Sequence, residues 1–187
     1  MKEISFATTN KGKMLEAEKL LSQLGYQVRQ LKISYPEIQA SSLQEVATFG
    51  IHWIYSEAEV VGAVMLEDAG LFIHALNDFP GPFSKFIFET IGLEGTLKLM
   101  EGKKDRSAHF ESCFAYAEKG SEPKVFKGRV DGTLASEPRG EHGFGYDPIF
   151  VAEGETKTFA EMEIEEKNKH SHRARALQKL VEHLGKR

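Results

Sequence analysis

Apolar residues recur along the chain with a period of two in some stretches and near 3.6 in others, which predicts strands interleaved with helices. The predicted strands are residues 3–9, 26–33, 60–67, 71–73, 106–118, 123–134 and 149–151. The predicted helices are residues 11–24, 43–56 and 171–184, with two short helices within residues 79–102. A turn is expected at Asp68–Gly70, and a long Gly-rich loop at residues 135–148. This order indicates an α/β protein with a mixed sheet.

Polar residues and glycines mark the ends of the predicted helices. Asn10 and Ser171 precede helical patterns and are placed to cap them, because their side-chain oxygens can accept from first-turn N–H groups. Ser42 begins a capping box that Glu45 completes. Gly25 is placed to end the first helix.

Length and composition favour one folded domain over residues 1–187. The chain is 41% hydrophobic and shows no repeat, low-complexity tract or linker. A net charge of -4 gives no general attraction to nucleic acid or to an anionic membrane, so neither is an expected partner. No apolar stretch reaches the roughly 18 residues of a membrane helix, and the N-terminus carries no signal-type segment, so we expect a cytoplasmic protein.

The segment Thr8–Lys13 joins the first strand to the first helix. Backbone N–H groups and the helix dipole favour phosphate at such a position, and two lysines add positive charge. It is not a Walker A loop, because Met14 follows Lys13 and the leading glycine is absent. The alternative is an ordinary capped helix with exposed lysines.

Two adjacent acids, Glu67 and Asp68, end the apolar run that begins at Val60. Alternation along a strand predicts that they point to opposite faces of the sheet. Carboxylate oxygens beside phosphates suit Mg²⁺, and Glu37 is a further candidate ligand. The alternative is a strand end whose acids face water.

The loop Gly143–Pro148 contains two aromatic residues, Phe144 and Tyr146, which offer flat faces to a base or sugar. The alternative is a loop whose aromatic rings pack in the core. Asp147 and Pro148 form a rigid entry to a turn.

Basic residues gather around Glu165–Ala176, before and within the last helix, and favour an anion there. Acidic residues immediately precede them, so no extended basic face results and duplex binding is not expected. His170 and His172 have no nearby third ligand for zinc.

In order along the chain, these stretches resemble the inosine triphosphate pyrophosphatase family. The motifs that carry the resemblance are residues 7–13, 36–39, 66–86, 143–150 and 165–177. It implies an elongated two-lobed α/β structure around a long mixed β-sheet with flanking helices and the active site in a central cleft. It also implies a homodimer that uses Mg²⁺ to hydrolyse ITP, dITP and XTP to the monophosphate and pyrophosphate.

The resemblance also implies a role for individual residues. Asp68 falls on the general base, and Glu37 and Asp68 fall on the metal ligands, with Glu67 a further candidate. The implied substrate-binding residues are Thr8, Thr9, Asn10, Lys11, Gly12, Lys13, Ala69, Phe144, Gly145, Tyr146, Asp147, Lys167, His172 and Arg173. Ala69 stands where many members have Ser, so a side-chain hydroxyl contact is absent here.

Three other functions remain open at the level of sequence. A pyrophosphatase for pyrimidine or modified nucleotides would keep the metal and change the base contacts. A non-catalytic module would bind the nucleotide without releasing pyrophosphate. A nucleic-acid-binding protein would show steeply salt-dependent binding.

Overall fold

A computed structural model describes residues 2–185, so Met1 and the last two residues of the expected domain lie outside the described range. The strands are β1 (Lys2–Ala7), β2 (Tyr26–Leu31), β3 (Val64–Ile73), β4 (Phe79–Pro80), β5 (Ser107–Ala117), β6 (Lys124–Leu134) and β7 (Phe150–Ala152). The helices are α1 (Lys11–Gln23), α2 (Leu43–Glu57), α3 (Ser84–Leu99), α4 (Ile164–His170) and α5 (His172–Gly185). No described helix is long and apolar enough to cross a membrane.

The strands form one mixed sheet, as the order of elements predicts. Its order is β2-β1-β3-β5-β6-β7, and β4 pairs with β3 outside this path. β1 lies parallel to β2 and β3, whereas the pairs from β3 to β7 are antiparallel. β3 therefore joins the parallel half of the sheet to the antiparallel half.

Helices cover both faces of the sheet, and β3 contributes to all of the main core clusters. Met65 packs in the cluster that α1 and α5 supply, and Leu66 packs on the opposite face with α2. Leu71 and Ile73 pack farther along β3 with residues of β6 and β7. This division accompanies the expected long mixed sheet with flanking helices.

The turn expected at Asp68–Gly70 is wrong, because β3 continues unbroken from Val64 to Ile73. β5 pairs with it at every position over that length, and this ladder outweighs the local turn preference of the sequence. Gly70 has a different use. A Cβ there would lie 2.3 Å from the carbonyl oxygen of Gly81, so the glycine allows the segment after β4 to approach the strand.

The predicted helix caps are present. Asn10 Oδ1 accepts from the N–H of Lys13 at 3.0 Å, and Ser171 Oγ accepts from the N–H of Ala174 at 3.1 Å. The two short helices predicted within residues 79–102 are the two parts of α3, which meet at a kink at Gly92, where φ is 64°. The sequence reading omitted α4, a short helix directly before α5.

Candidate active site

The edge of β3 that faces β1 is uncovered over a short stretch. β1 pairs with β3 as far as Leu66, and β4 pairs with it from Phe72. Between these points Lys13 Nζ donates to the carbonyl oxygen of Glu67 at 3.3 Å, and Ser84 Oγ accepts from the N–H of Leu71 at 2.8 Å. The adjacent acids lie in this gap, which explains why an apolar strand carries charge in its middle.

Glu67 and Asp68 face opposite sides of the sheet, as alternation predicts. Glu67 shares the face of Met65, toward α1 and α5, and contacts Arg173 of α5. Asp68 shares the face of Leu66, toward α2.

Glu67 is the buried centre of an ion-pair group. Its Oε1 accepts from Arg173 Nε at 2.9 Å and from Ser112 Oγ at 2.7 Å, and its Oε2 lies 3.2 Å from Lys13 Nζ. Burial alone would raise the pKa of Glu67, but the charges of Arg173 and Lys13 hold it below its usual value. Both oxygens already face cations, which does not favour Glu67 as a metal ligand.

Asp68 and Glu67 each have one buried carboxylate oxygen without a hydrogen-bond partner, but their surroundings shift the pKa in opposite directions. In Asp68 this oxygen is Oδ2. Burial raises the pKa of Asp68 to about 7, Lys13 opposes the rise, and the negative charges of Glu67 and Glu37 add to it. A buried, unpartnered carboxylate oxygen is suited to hold a proton, a water molecule or a cation.

Glu37 lies in the loop before α2 with its carboxylate exposed. Its Oε1 accepts from Lys85 Nζ at 2.8 Å. The ring of Tyr35 packs over Gly50, and burial together with Asp68 and Glu37 raises the pKa of its hydroxyl. Glu37, Glu67 and Asp68 do not bring three ligand atoms within 4.8 Å of one another in the described chain, so they form no ready three-carboxylate site. Mg²⁺ needs only one or two carboxylates when phosphates supply the rest.

The turn before α1 has the geometry of an anion site. Thr8 Oγ1 accepts from the N–H of Asn10 at 3.1 Å, while Thr9 and Lys11 are exposed. The first-turn N–H groups of a helix have no intrahelical partner and point outward from its N-terminus. This end of α1 adjoins the gap, because Lys13 contacts Glu67 from it.

The Phe144 ring lies between this turn and two buried cations. A Cβ at Gly12 would lie 2.3 Å from Phe144 Cδ1, so the glycine is required for the ring to pack there. Lys167 Nζ is 5.1 Å and Arg173 Cζ is 5.4 Å from the ring centroid. The half-buried ring therefore covers both cations.

Lys167 and Arg173 are held by carboxylates. Lys167 Nζ donates to Glu16 Oε1 at 2.6 Å and to Asp147 Oδ2 at 2.7 Å, and Arg173 pairs with Glu16 and Glu67. Burial would raise the pKa of Glu16, but the charges of Arg173 and Lys167 keep it below its usual value. Together with Lys13, the group balances three cations against three carboxylates.

Asp147 joins this group to the Gly-rich loop. Its Oδ2 also accepts from the N–H of Phe144 at 2.8 Å, across the loop that Gly145 completes with a φ of 62°. Burial raises the pKa of Asp147 despite the opposing charge of Lys167. The position of the Phe144 ring is therefore tied to Lys167.

Sequence reasoning missed Glu16. It is 2% exposed and pairs with both cations. The sequence did contain a signal, because Glu16 lies beside Met14 and Ala17 on the apolar face of α1. A residue on that face is expected to be buried, and a buried acid requires a partner.

The side chain of Tyr146 does not offer a face to a ligand. Its hydroxyl donates to the carbonyl oxygen of Ser84 at 3.0 Å, and its ring packs edge-on against Phe88 with 5.3 Å between centroids. The expectation of a flat Tyr146 face is wrong, because the ring fills the core cluster that also contains Leu71 and Ile73. Only the backbone of Tyr146 is available to a substrate.

His172 is buried at the start of α5. Its ring stacks on Phe110 with 4.6 Å between centroids, and its Nδ1 has no hydrogen-bond partner. Burial lowers its pKa well below the ordinary value, and the charges of Arg173 and Lys167 lower it further. The imidazole is therefore neutral.

The chain matches the sequence model of the Ham1 family over residues 4–183. A dITP/XTP pyrophosphatase from Thermococcus kodakarensis is 51% identical over 181 residues, which cover 97% of this chain and 96% of the relative. The protein of the same name from Methanopyrus kandleri is 50% identical over 181 residues, which cover 96% of this chain and 95% of the relative. The solved structure of a HAM1 protein from Coxiella burnetii superposes with a TM-score of 0.83, at 33% identity and full coverage of both chains.

Proposed function

The chain belongs to the Ham1 family, and on that premise we propose that it hydrolyses dITP, ITP and XTP to the nucleoside monophosphate and pyrophosphate. This reaction removes deaminated purines from the nucleotide pool before they enter DNA or RNA. Relatives that carry the name dITP/XTP pyrophosphatase span nearly the whole chain at about half identity. The observation that carries the proposal is the unpartnered Oδ2 of Asp68, buried beside the lysine of the anion-binding turn.

In this proposal the turn before α1 holds the triphosphate. Thr8, Thr9, Asn10, Lys11 and Gly12 supply backbone and hydroxyl donors, and Lys13 supplies charge close to Asp68. Ala69 offers its backbone at the adjacent point of β3. The Lys13→Ala variant should weaken use of the triphosphate strongly, whereas unchanged kinetics would make Lys13 a helix residue without a catalytic role.

Asp68 is the proposed base, which orients and deprotonates the water that attacks the α-phosphorus in line with the departing pyrophosphate. Its raised pKa suits this role, because a carboxylate of ordinary pKa is a weak base near neutral pH. Asp68 and Glu37 are the proposed ligands of Mg²⁺. Glu67 is not a ligand in this proposal, and it positions Lys13 and Arg173. Mg²⁺, when bound, neutralises phosphate oxygens and polarises the attacking water.

The nucleobase of the substrate is proposed to bind beside Phe144. There Lys167 and Arg173 have N–H groups that their carboxylate partners do not use. An ammonium has three N–H groups and a guanidinium five, and the carboxylates occupy two of each. A 6-oxo group accepts from such donors, whereas the 6-amino group of adenine presents a donor and leaves a buried partner unpaired. We expect this difference to favour ITP over ATP by roughly 10² to 10⁴ in rate. The backbone of Gly145 and the neutral ring of His172 complete the proposed pocket.

The test is pyrophosphate release from ITP, XTP, GTP and ATP, with and without Mg²⁺, by the wild type and by Asp68→Asn. Release from ITP and XTP that requires both Mg²⁺ and Asp68 is the expected result. Equal rates with ATP and ITP would refute the proposed selectivity for 6-oxo purines. An active Asp68→Asn protein would refute the assignment of Asp68 as the general base. Preference for dUTP or dTTP would indicate a pyrimidine enzyme, and binding of ITP without pyrophosphate release would indicate a non-catalytic module.

We also propose a homodimer formed through the segment that starts α3. Phe83 and Phe86 are 41% and 65% exposed, and Phe79 precedes them at 36%. Exposed aromatic side chains of this kind are typical of contact surfaces. Sedimentation should show a dimer that Phe86→Glu converts to a monomer, whereas Val61→Glu, at a site 89% exposed, leaves it intact.

Two further expectations complete the proposal. Residues 1–187 form one domain, because Met65, Leu66 and Leu71 of one strand enter all of the main core clusters. The protein acts in the cytoplasm, where the nucleotide pool that it would cleanse is made.

A further inference from the structure

A cluster of metal-ligating side chains lies beyond the end of β3, away from the proposed active site. His74, Asp78 and His109 each place one ligand atom within 4.8 Å of the others. His74 lies six positions after Asp68, which along an extended strand is a distance of about 20 Å. None of these three residues has a part in the proposed hydrolysis.

The chain fold brings the three side chains together. β5 runs antiparallel to β3 and places His109 beside Phe72, whose ring stacks on the imidazole with 4.7 Å between centroids. Asn77 and Asp78 both have positive φ, 55° and 62°, so the chain turns back and returns Asp78 toward His74. Non-glycine residues rarely adopt this conformation, and two in succession make a tight turn.

The distances fit a small tetrahedral ion. His74 Nε2 lies 3.0 Å from His109 Nδ1 and 3.9 Å from Asp78 Oδ1. Ligand atoms about 2.0–2.1 Å from a tetrahedral zinc lie about 3.3 Å apart. The side chain of Asp78 is 59% exposed and free to close the remaining gap.

Hydrogen bonds behind His74 fix the tautomer that a metal requires. Ser107 Oγ donates to Asp105 Oδ1 at 2.6 Å, which uses the only proton of the hydroxyl. Ser107 Oγ, 2.9 Å from His74 Nδ1, must then accept from it. The proton of His74 therefore lies on Nδ1, and the lone pair of Nε2 faces His109 and Asp78. A ligating histidine held from behind in this way is typical of metal sites.

The surrounding charge also favours a cation. Asp105 lies behind His74, and Asp131 lies opposite His109 on β6. Arg129 is the nearby positive group, and Asp131 neutralises it through a bond of 2.9 Å from Arg129 Nε. Without a metal, His109 Nδ1 donates to His74 Nε2 at 3.0 Å. His109 is a ligand in the tautomer that carries its proton on Nε2, and this change of tautomer leaves its charge unaltered.

We propose that His74, Asp78 and His109 bind a divalent transition metal of the Zn²⁺ class, with one position left for water. Two imidazoles and one carboxylate suit Zn²⁺ or Co²⁺, whereas Mg²⁺ prefers an octahedral set of oxygens. The ion joins β3, β5 and the turn before β4. It therefore stabilises this corner of the sheet independently of nucleotide hydrolysis.

The test is calorimetric titration of untagged, full-length protein with Zn²⁺ in excess Mg²⁺ and without nucleotide. The wild type should bind one equivalent, and His74→Gln should abolish this site. His52→Gln, an exposed histidine paired with Glu122, is the matched control and should bind as the wild type does. Wild-type binding no tighter than that of His74→Gln would overturn the proposal.

A second variant separates the tautomer argument from simple loss of a ligand. Ser107→Ala keeps all three ligands and should weaken Zn²⁺ binding about 10- to 100-fold. Co²⁺ reports the geometry, because tetrahedral coordination gives intense visible absorption and octahedral coordination gives weak absorption. The wild type should show the intense spectrum, and His74→Gln should lose it. A weak spectrum in the wild type would overturn the assignment. His74 is partly exposed, so its replacement does not disturb the core.

Discussion

Glu67 and Asp68 are adjacent in the chain, yet folding shifts their pKa values in opposite directions. Glu67 is buried among cations that keep it ionised, and Asp68 is half-buried, with its Oδ2 buried and unpartnered and with acids nearby. One carboxylate therefore supports the fold, and the other costs stability when it is charged. Alternation along the strand places the pair in these two environments.

Removal of the charge on Asp68 should stabilise the metal-free protein. Its folded pKa of about 7 lies above the ordinary 3.8, so its stabilising contribution is complete below about pH 4 and is lost as pH rises through 7. Asp68→Asn resembles the protonated acid at every pH. We expect it to raise the free energy of unfolding at pH 8 by on the order of 2 kcal/mol and to change little at pH 4, as measured by urea denaturation.

Glu67→Gln is the matched comparison and should have the opposite sign. The lowered pKa of Glu67 means that its contribution is present above its ordinary value and is lost on acidification. Its replacement leaves Arg173 and Lys13 without their shared partner and should cost about 3 kcal/mol at pH 8. A destabilising Asp68→Asn would contradict this account.

At the scale of elements, the packing of Phe144 on the start of α1 allows almost no added volume. Gly12→Ala places a Cβ within 2.3 Å of the ring, which must then move off the two cations. Overpacking of this kind costs about 1–3 kcal/mol of stability. Because the displaced ring no longer positions the nucleobase in the proposed pocket, we expect kcat/KM for ITP to fall about tenfold or more. Gly185→Ala at the end of α5 is the control, because no atom lies within 4 Å of its added Cβ. Equal kcat/KM for the two variants would show that the ring is free to shift.

Features set by local sequence could be predicted, and those set by distant contacts could not. Asn10 and Ser171 cap their helices because the cap residue and its partner lie within three positions. The prediction of a turn at Asp68–Gly70 was wrong because β3 pairs there with residues of β5 that lie more than 40 positions away in the sequence. The prediction that Tyr146 offers a flat face was wrong for the same reason, because its ring packs against Phe88, which is distant in the sequence.

The candidate site divides in the same way. Lys167 and Arg173 could be recognised from the sequence as part of a basic cluster, and the family resemblance implied that they bind the substrate. Their burial could not be foreseen, because it depends on Glu16, which lies about 150 positions earlier. Charge balance among distant elements is invisible to spacing along the chain.

At the scale of the whole molecule, the balanced group of charges connects α1, β3, α4, α5 and the Gly-rich loop. Glu16→Gln leaves Lys167 and Arg173 undercompensated in a buried setting, and we expect it to lower the free energy of unfolding by about 3–5 kcal/mol. The check is the urea midpoint at constant slope. Glu18→Gln, an exposed acid on the same helix, should change stability by less than about 0.5 kcal/mol. Equal effects would mean that the ion pairs add nothing beyond surface contacts.

The uncovered edge of β3 also has a consequence for self-association through strand pairing. An open edge offers unpaired backbone groups to a strand of another copy, which is a route to amyloid-like aggregation. Here Lys13 Nζ engages the carbonyl oxygen of Glu67, and Ser84 Oγ engages the N–H of Leu71. These two side chains thus occupy backbone groups that a strand of another copy would need for pairing. A protein without Lys13 would therefore lose the proposed phosphate contact and the protection of this strand edge together.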